Sequence, residues 1–241
     1  ASNNTAVGYE SLKANTTGTS NVAVGANALD ANTTADMNTA IGFGSLTTNT
    51  TGEKNTACGK DALGLNSTGD KNSAFGKGAL FANTTADNNT ALGADAMLSN
   101  TTGTQNVAVG ALALDANTAG NYNIAVGRAA LSENIDGSNN VAVGLNALFA
   151  NTTASNNTAL GHAALTDNTT GTQNTAVGAL AGDAITTGGE NTACGTNSMT
   201  ALTTGDSNSA LGRSSLEGLT TGANNTACGA SAGEQITTGS N

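Results

Sequence analysis

Apolar and polar positions in this chain recur with a period of seventeen residues. The stretch Asn4-Thr5-Ala6-Val7-Gly8 returns as NVAVG at Asn21, NTAIG at Asn38, NTACG at Asn55 and NSAFG at Asn72, and continues in phase to NTACG at Asn225. Fourteen units cover residues 4–241, a single solenoid domain by this reading, and residues 1–3 supply the end of a preceding unit. The chain therefore reads as a piece of a longer one. A fixed short period marks a solenoid, in which each repeat is one coil stacked on its neighbours. Positions are numbered below as slots, with Asn4 and its equivalents as slot one.

Slots one, three and five are Asn, Ala and Gly in every unit, slot two is Thr, Val, Ser or Ile, and slot four is Val, Ile, Leu, Phe or Cys. β-Branched residues with a strictly apolar fourth place predict one short parallel strand per coil. Slots two and four then share a face and slot three takes the other. Slot four is expected to fill the core, through Val7, Val24, Ile41, Cys58, Phe75, Leu92, Val109, Val126, Val143, Leu160, Val177, Cys194, Leu211 and Cys228. Slot-three Ala is expected where another surface approaches closely. The glycines Gly8, Gly25, Gly42, Gly59 and Gly76 end the strand with a bend that a side chain would hinder.

Slots six to eleven, as in YESLKA and ANALDA, are rich in Ala, Leu and charged residues, which predicts a helical turn. Slot nine is Leu or Met in twelve units, a second inward anchor beginning with Leu12 and Leu29. Slots twelve to fifteen, as in Asn15-Thr16-Thr17-Gly18, carry corner chemistry. Slot twelve is Asn in the first ten units, whereas Ile185, Leu202, Leu219 and Ile236 occupy it in the last four, and slot nine becomes Gly182 and Gly233 in two of these. Apolar volume lost in one place is restored in another, so the cross-section changes near residue 174. The fold class expected is an all-β solenoid, a β-roll or β-helix of fourteen 17-residue coils with one short parallel strand and a helical turn per coil. So thin a rod has little core of its own, and association through the Ala-rich face, as a trimer, is expected.

Composition narrows the functional classes. Aromatic residues make up 2% of the chain and charged residues 10%, which fits neither an ordinary globular core nor a charge-expanded disordered chain. The net charge of −10 leaves no basic stripe for a phosphate backbone, so no nucleic-acid partner is expected. No run of eighteen apolar residues exists to span a membrane, and no basic leader with an apolar segment appears. Three cysteines without CxxC spacing read as small buried hydrophobes rather than as metal ligands or a disulfide framework.

At the strand motif, NVAVG and NTAIG resemble the SVAIG-type repeats in the heads of trimeric autotransporter adhesins of the YadA type. The whole unit, NTAVGYESLKANTTG, is similar to repeats in the shafts of phage tail fibres and large bacterial surface proteins, some of which end in an endosialidase-type chaperone domain. The resemblance covers the entire chain. It implies a left-handed β-roll with three chains round one axis, a role in attachment, and an extracellular, cell-surface or virion location. The adhesin-head unit is shorter by the residues read here as the helical turn.

Chemistry is sparse. The one histidine, His162, sits at slot six, which tolerates Tyr9, Lys60 and Ala179 alike, and no triad can be built around it. Gly59-Lys60 and Gly76-Lys77 lack phosphate-loop spacing. Asp36, Glu53, Asp70 and Asp87 align at slot sixteen and read as a solvated edge rather than a calcium site. Asn15, Asn32, Asn49, Asn66, Asn83, Asn100, Asn151 and Asn168 match the glycosylation acceptor pattern, but turn chemistry explains them without sugar and is the favoured reading. No catalytic, cofactor-binding or metal-ligating residue emerges, and no enzyme is expected. The leading expectation is a structural fibre or stalk whose receptor contacts lie outside this segment. The alternatives are an ice-binding solenoid, using a surface ladder of Thr16, Thr17, Thr33, Thr34, Thr50 and Thr51, and a glycan-binding adhesive shaft.

Overall fold

The computed structural model describes residues 1–240; Asn241 lies outside the described residues. The chain is an all-β parallel solenoid whose strands follow one another in sequence order, and it divides into two compact units, Ala1–Asn121 and Tyr122–Asn241. In the first unit, β1 (Thr5–Val7), β2 (Val22–Val24), β3 (Thr39–Ile41), β4 (Thr56–Cys58), β5 (Ser73–Phe75), β6 (Thr90–Leu92) and β7 (Val107–Val109) pair successively. In the second, β8 (Ile124–Val126), β9 (Val141–Val143), β10 (Thr158–Leu160), β11 (Thr175–Val177), β12 (Thr192–Cys194), β13 (Ser209–Leu211) and β14 (Thr226–Cys228) do the same. Each residue pairs with the one seventeen later, so slot stacks on slot.

The strand faces the opposite way from that expected. Slot-three Ala is the inward residue: Ala23, Ala40, Ala57, Ala74 and their equivalents as far as Ala176 are fully buried. Slots two and four point outward. Val7, Val24, Ile41, Phe75, Leu92, Leu160, Leu211 and Cys228 are exposed, while Cys58, Val109, Val126, Val143, Val177 and Cys194 are half-buried. None of these fourteen slot-four side chains is a core residue. The core is instead built from slot-three Ala, slot-eight Ala or Ser, and slot-nine Leu or Met, with Leu29, Leu46, Leu63, Leu80 and Met97 at 0% exposure. Leu12, in the first coil, is half-buried. With a large side chain entering from slot nine, the coil leaves room only for a methyl on the strand side. Alanine is the residue that fits.

The expected helical turn is also absent, and no helix occurs among the described residues. Slots seven and nine have positive φ, as at Asn27 (58°) and Leu29 (51°). Each such residue costs on the order of 1–2 kcal/mol in an L-amino acid, which the burial of a Leu side chain, worth about 1.5–3 kcal/mol, offsets. The conformation turns the backbone toward neighbouring coils. Leu29 N–H donates to the Ser45 carbonyl of the next coil at 3.1 Å, and Asn27 N–H to the Tyr9 carbonyl of the previous one at 2.9 Å. A helical turn would have closed those groups internally and left the coils unbonded along this side.

Slot-five glycine has two reasons to be glycine. Gly8 has φ 133°, and a Cβ there would lie 2.6 Å from the Gly25 carbonyl oxygen of the next coil. The bend and the close stacking are one requirement.

Candidate functional site

Most polar side chains are consumed in holding coil to coil. Slot-one Asn is buried, and its Oδ1 accepts from the backbone N–H of the next slot-one Asn, as in Asn38 to Asn21 at 2.9 Å. Its amide donates across its own coil to the slot-fifteen carbonyl, as in Asn38 to Gly52 at 2.8 Å. A second ladder runs through slot twelve: the Asn66 amide donates to Asn49 Oδ1 at 2.8 Å and to the Gly69 carbonyl at 3.0 Å. Buried amides paired along the ladder make a rigid, register-specific interior.

These ladders decide several candidate sites. The acceptor-pattern residues Asn32, Asn49, Asn66, Asn83, Asn100, Asn151 and Asn168 are fully buried ladder members, and in the folded chain their amides have no room for a sugar. Asn15, in the first coil, is half-buried and donates to the Gly18 carbonyl at 3.0 Å. Of the aligned slot-sixteen acids, the three aspartates are backbone caps: Asp36 Oδ1 accepts the Thr19 N–H at 2.6 Å, Asp70 that of Glu53 and Asp87 that of Asp70, both at 2.7 Å. Among the described residues no group of three metal-ligating side chains comes together.

The threonine ladder separates into two files. Thr16, Thr33 and Thr50 donate their hydroxyls to the slot-thirteen carbonyl of the next coil, at 3.0, 3.2 and 3.1 Å. Thr17, Thr34 and Thr51 are exposed. His162 is exposed on slot six, where its carbonyl accepts the Leu180 N–H at 2.9 Å.

The strands carry half of the exposed large apolar side chains, among them Val24, Ile41, Phe75, Leu92 and Leu160. In each unit, slots two and four present two parallel rows of Thr, Val, Ser, Ile, Leu, Phe and Cys without a single charged residue. At ~4.8 Å per strand and ~3.3 Å per residue, seven strands cover roughly 330 Å². A patch of this size is ordinary as the largest on a monomer and is often functional, and here the apolar slot-four row runs beside a slot-two row that is mostly Thr and Ser. All three cysteines lie here with free thiols, Cys58 and Cys194 half-buried and Cys228 exposed, rather than in the core as expected. In the second unit Leu211 stands between the shorter Cys194 and Cys228, which leaves a groove of about 270 Å³ lined also by Thr192, Ser209 and Thr226. The period-two invariance of slots one, three and five already carried this inside-outside signal.

Two further notches occur where a glycine replaces a side chain. One, of about 450 Å³, lies against Gly189 with Thr170, Thr172, Thr187, Glu190, Asp206 and Ser207. The other, of about 280 Å³, lies against Gly78 with Asp61, Lys77, Phe81, Asp95 and Leu98. No helix among the described residues is long and apolar enough to cross a membrane. No protein-family model, no curated protein and no solved structure matches this chain.

Proposed function

We propose that this chain is a structural segment of an extracellular fibre or stalk, in an adhesin, surface filament or phage tail fibre, and that copies of it associate laterally through the open strand face. The observation that carries the reading is the contrast between a backbone closed coil to coil by asparagine ladders and a charge-free face with an apolar slot-four row left open on each unit. With a net charge of −10, two copies meet without like-charge confrontation only on a surface that lacks carboxylates. A second copy also repeats at the same strand spacing, so its side chains stay in step over every coil, which a partner of another period cannot do. Three copies round one axis is the assembly implied by the resemblance to trimeric adhesin heads. Slots two and four, not the Ala row, would line that axis.

Sedimentation velocity tests this reading. The chain sediments as a homo-oligomer, and Val143→Glu combined with Leu160→Glu converts it to a monomer with unchanged far-UV circular dichroism. A wild-type chain that stays monomeric throughout the micromolar range overturns it.

A further inference from the structure

The notch at Gly78 has a composition that the fibre reading does not use. Slot seven reads Gly44, Asp61, Gly78 and Asp95 in four successive coils, and the Asp95 carboxylate leans over Gly78, where a Cβ would run into its Oδ1, so that the notch is lined by Asp95 on one side and Asp61 on the other. Its φ of 64° is shared by side-chain-bearing residues at the same slot, so backbone geometry does not by itself demand glycine here. The wall beside the gap is Phe81, seated by a second omission: a Cβ on Gly64 would lie 2.9 Å from the ring Cδ2 and Cε2 atoms. Leu98 completes that wall.

The charges are balanced. Lys60 Nζ lies 2.8 Å from Asp61 Oδ2, and Lys77 Nζ lies 3.6 Å from Asp95 Oδ2. A free cation would compete with a lysine already beside each carboxylate, and an anion would face both carboxylates. A neutral ligand with several hydroxyls meets neither penalty. Each carboxylate retains acceptor lone pairs beyond its lysine, and the exposed Lys77 ammonium retains donors. Phe81 and Leu98 offer an apolar wall of the kind that pairs with a few polar groups in small-molecule sites.

We propose that the Gly78 notch binds a neutral pyranose sugar, its C–H face against Phe81 and its hydroxyls between Asp61 and Asp95. The proposal is independent of self-association, because slots six, seven and ten lie off the open strand face. The Gly189 notch does not share these features: Asp206 accepts the Gly189 N–H at 2.7 Å, Glu190 accepts the Ser207 hydroxyl at 3.1 Å, and no apolar wall is present.

Saturation-transfer-difference NMR on the full chain, with the methyl pyranosides of glucose, galactose, mannose and N-acetylglucosamine as probes, tests the site. At least one probe receives saturation from the protein, and its signal drops about fivefold or more in Gly78→Asn and in Phe81→Leu. Phe81→Leu places at its slot the residue that Leu98 supplies in the next coil, and in Gly78→Asn the new Cβ meets the carboxylate end of Asp95, a flexible side chain that can swing away, so thermal melts should match wild type. The proposal is overturned if no probe receives saturation, if the signal persists in the double variant, or if tetramethylammonium or sulfate binds in place of the sugars.

Discussion

Asn168 Oδ1 is buried without a hydrogen-bond partner because the next residue in its ladder is Ile185. Through the earlier coils each slot-twelve Asn amide donates to the Oδ1 of the preceding one, as Asn168 itself donates to Asn151 at 3.1 Å. Ile185 has no donor to offer. It fills the space that slot-nine leucine occupies elsewhere, since a Cβ on Gly182 would lie 3.0 Å from Ile185 Cδ1 and 3.1 Å from Leu165 Cδ2. The switch of subtype exchanges one hydrogen bond for one packing arrangement.

The exchange should therefore be reversible only as a pair. Ile185→Asn alone empties the space beside Gly182 and is expected to cost about 2–3 kcal/mol, even though it supplies the missing donor. Adding Gly182→Leu restores the arrangement of the earlier coils and should return stability at least to that of wild type. Urea denaturation of the four chains measures the coupling, and additive effects would show that the two sites do not share the space.

Inside and outside are separable by two alanine substitutions. Leu63, at 0% exposure, is expected to lose about 2–4 kcal/mol on Leu63→Ala. Phe75, larger but 42% exposed, is expected to lose less than ~1 kcal/mol on Phe75→Ala at concentrations where the chain is monomeric. Comparable losses would place Phe75 in the core.

Asp183 supplies a pH dependence. Burial raises its pKa above the ordinary 3.8, Asp167 nearby adds to the effect, and one carboxylate oxygen is buried without a partner. A raised carboxyl pKa means that the folded state binds its proton more tightly than the unfolded state does. This residue's contribution to stability therefore falls as pH rises from 3.8 through the elevated value, and the full penalty applies above it. Asp183→Asn is expected to raise the melting temperature at pH 7, with the difference shrinking toward zero as the pH approaches 3.8. A constant difference across that range would place the effect elsewhere.

The thiols report on the open face. Cys58, Cys194 and Cys228 should all react with a maleimide in the folded chain without denaturant, Cys228 fastest because it is the exposed one. Labelling rates that fall as protein concentration rises would show the face becoming covered. Rates that do not depend on concentration would place the contact between copies on another surface.

Much of the architecture was legible in the repeat. Asn, Ala and Gly recur at slots one, three and five without exception, and these are the slots that face inward or touch the next coil. Slot four admits residues as different in volume as Cys58 and Phe75 in adjacent coils, a tolerance that a packed interior does not grant. Apolar character at slot four outweighed that variation and assigned the core to the wrong face. The Gly78 notch was less visible, because it depends on side chains from three coils and three slots meeting at one missing side chain. The turn at slots six to eleven was misjudged because helix propensity is a local preference, and here hydrogen bonds between coils overrode it.

The sequence by itself determined the period, the slot-on-slot register and the places where only glycine or asparagine serves. It marked the inner face only through the invariance of slot three and the size tolerance of slot four, because the apolar alternation of a three-residue strand fits either face. The tertiary structure decided that by geometry. Leucine enters from slot nine on a left-handed backbone, the remaining depth admits only the alanine methyl, and the larger apolar side chains of slots two and four are left on the outside.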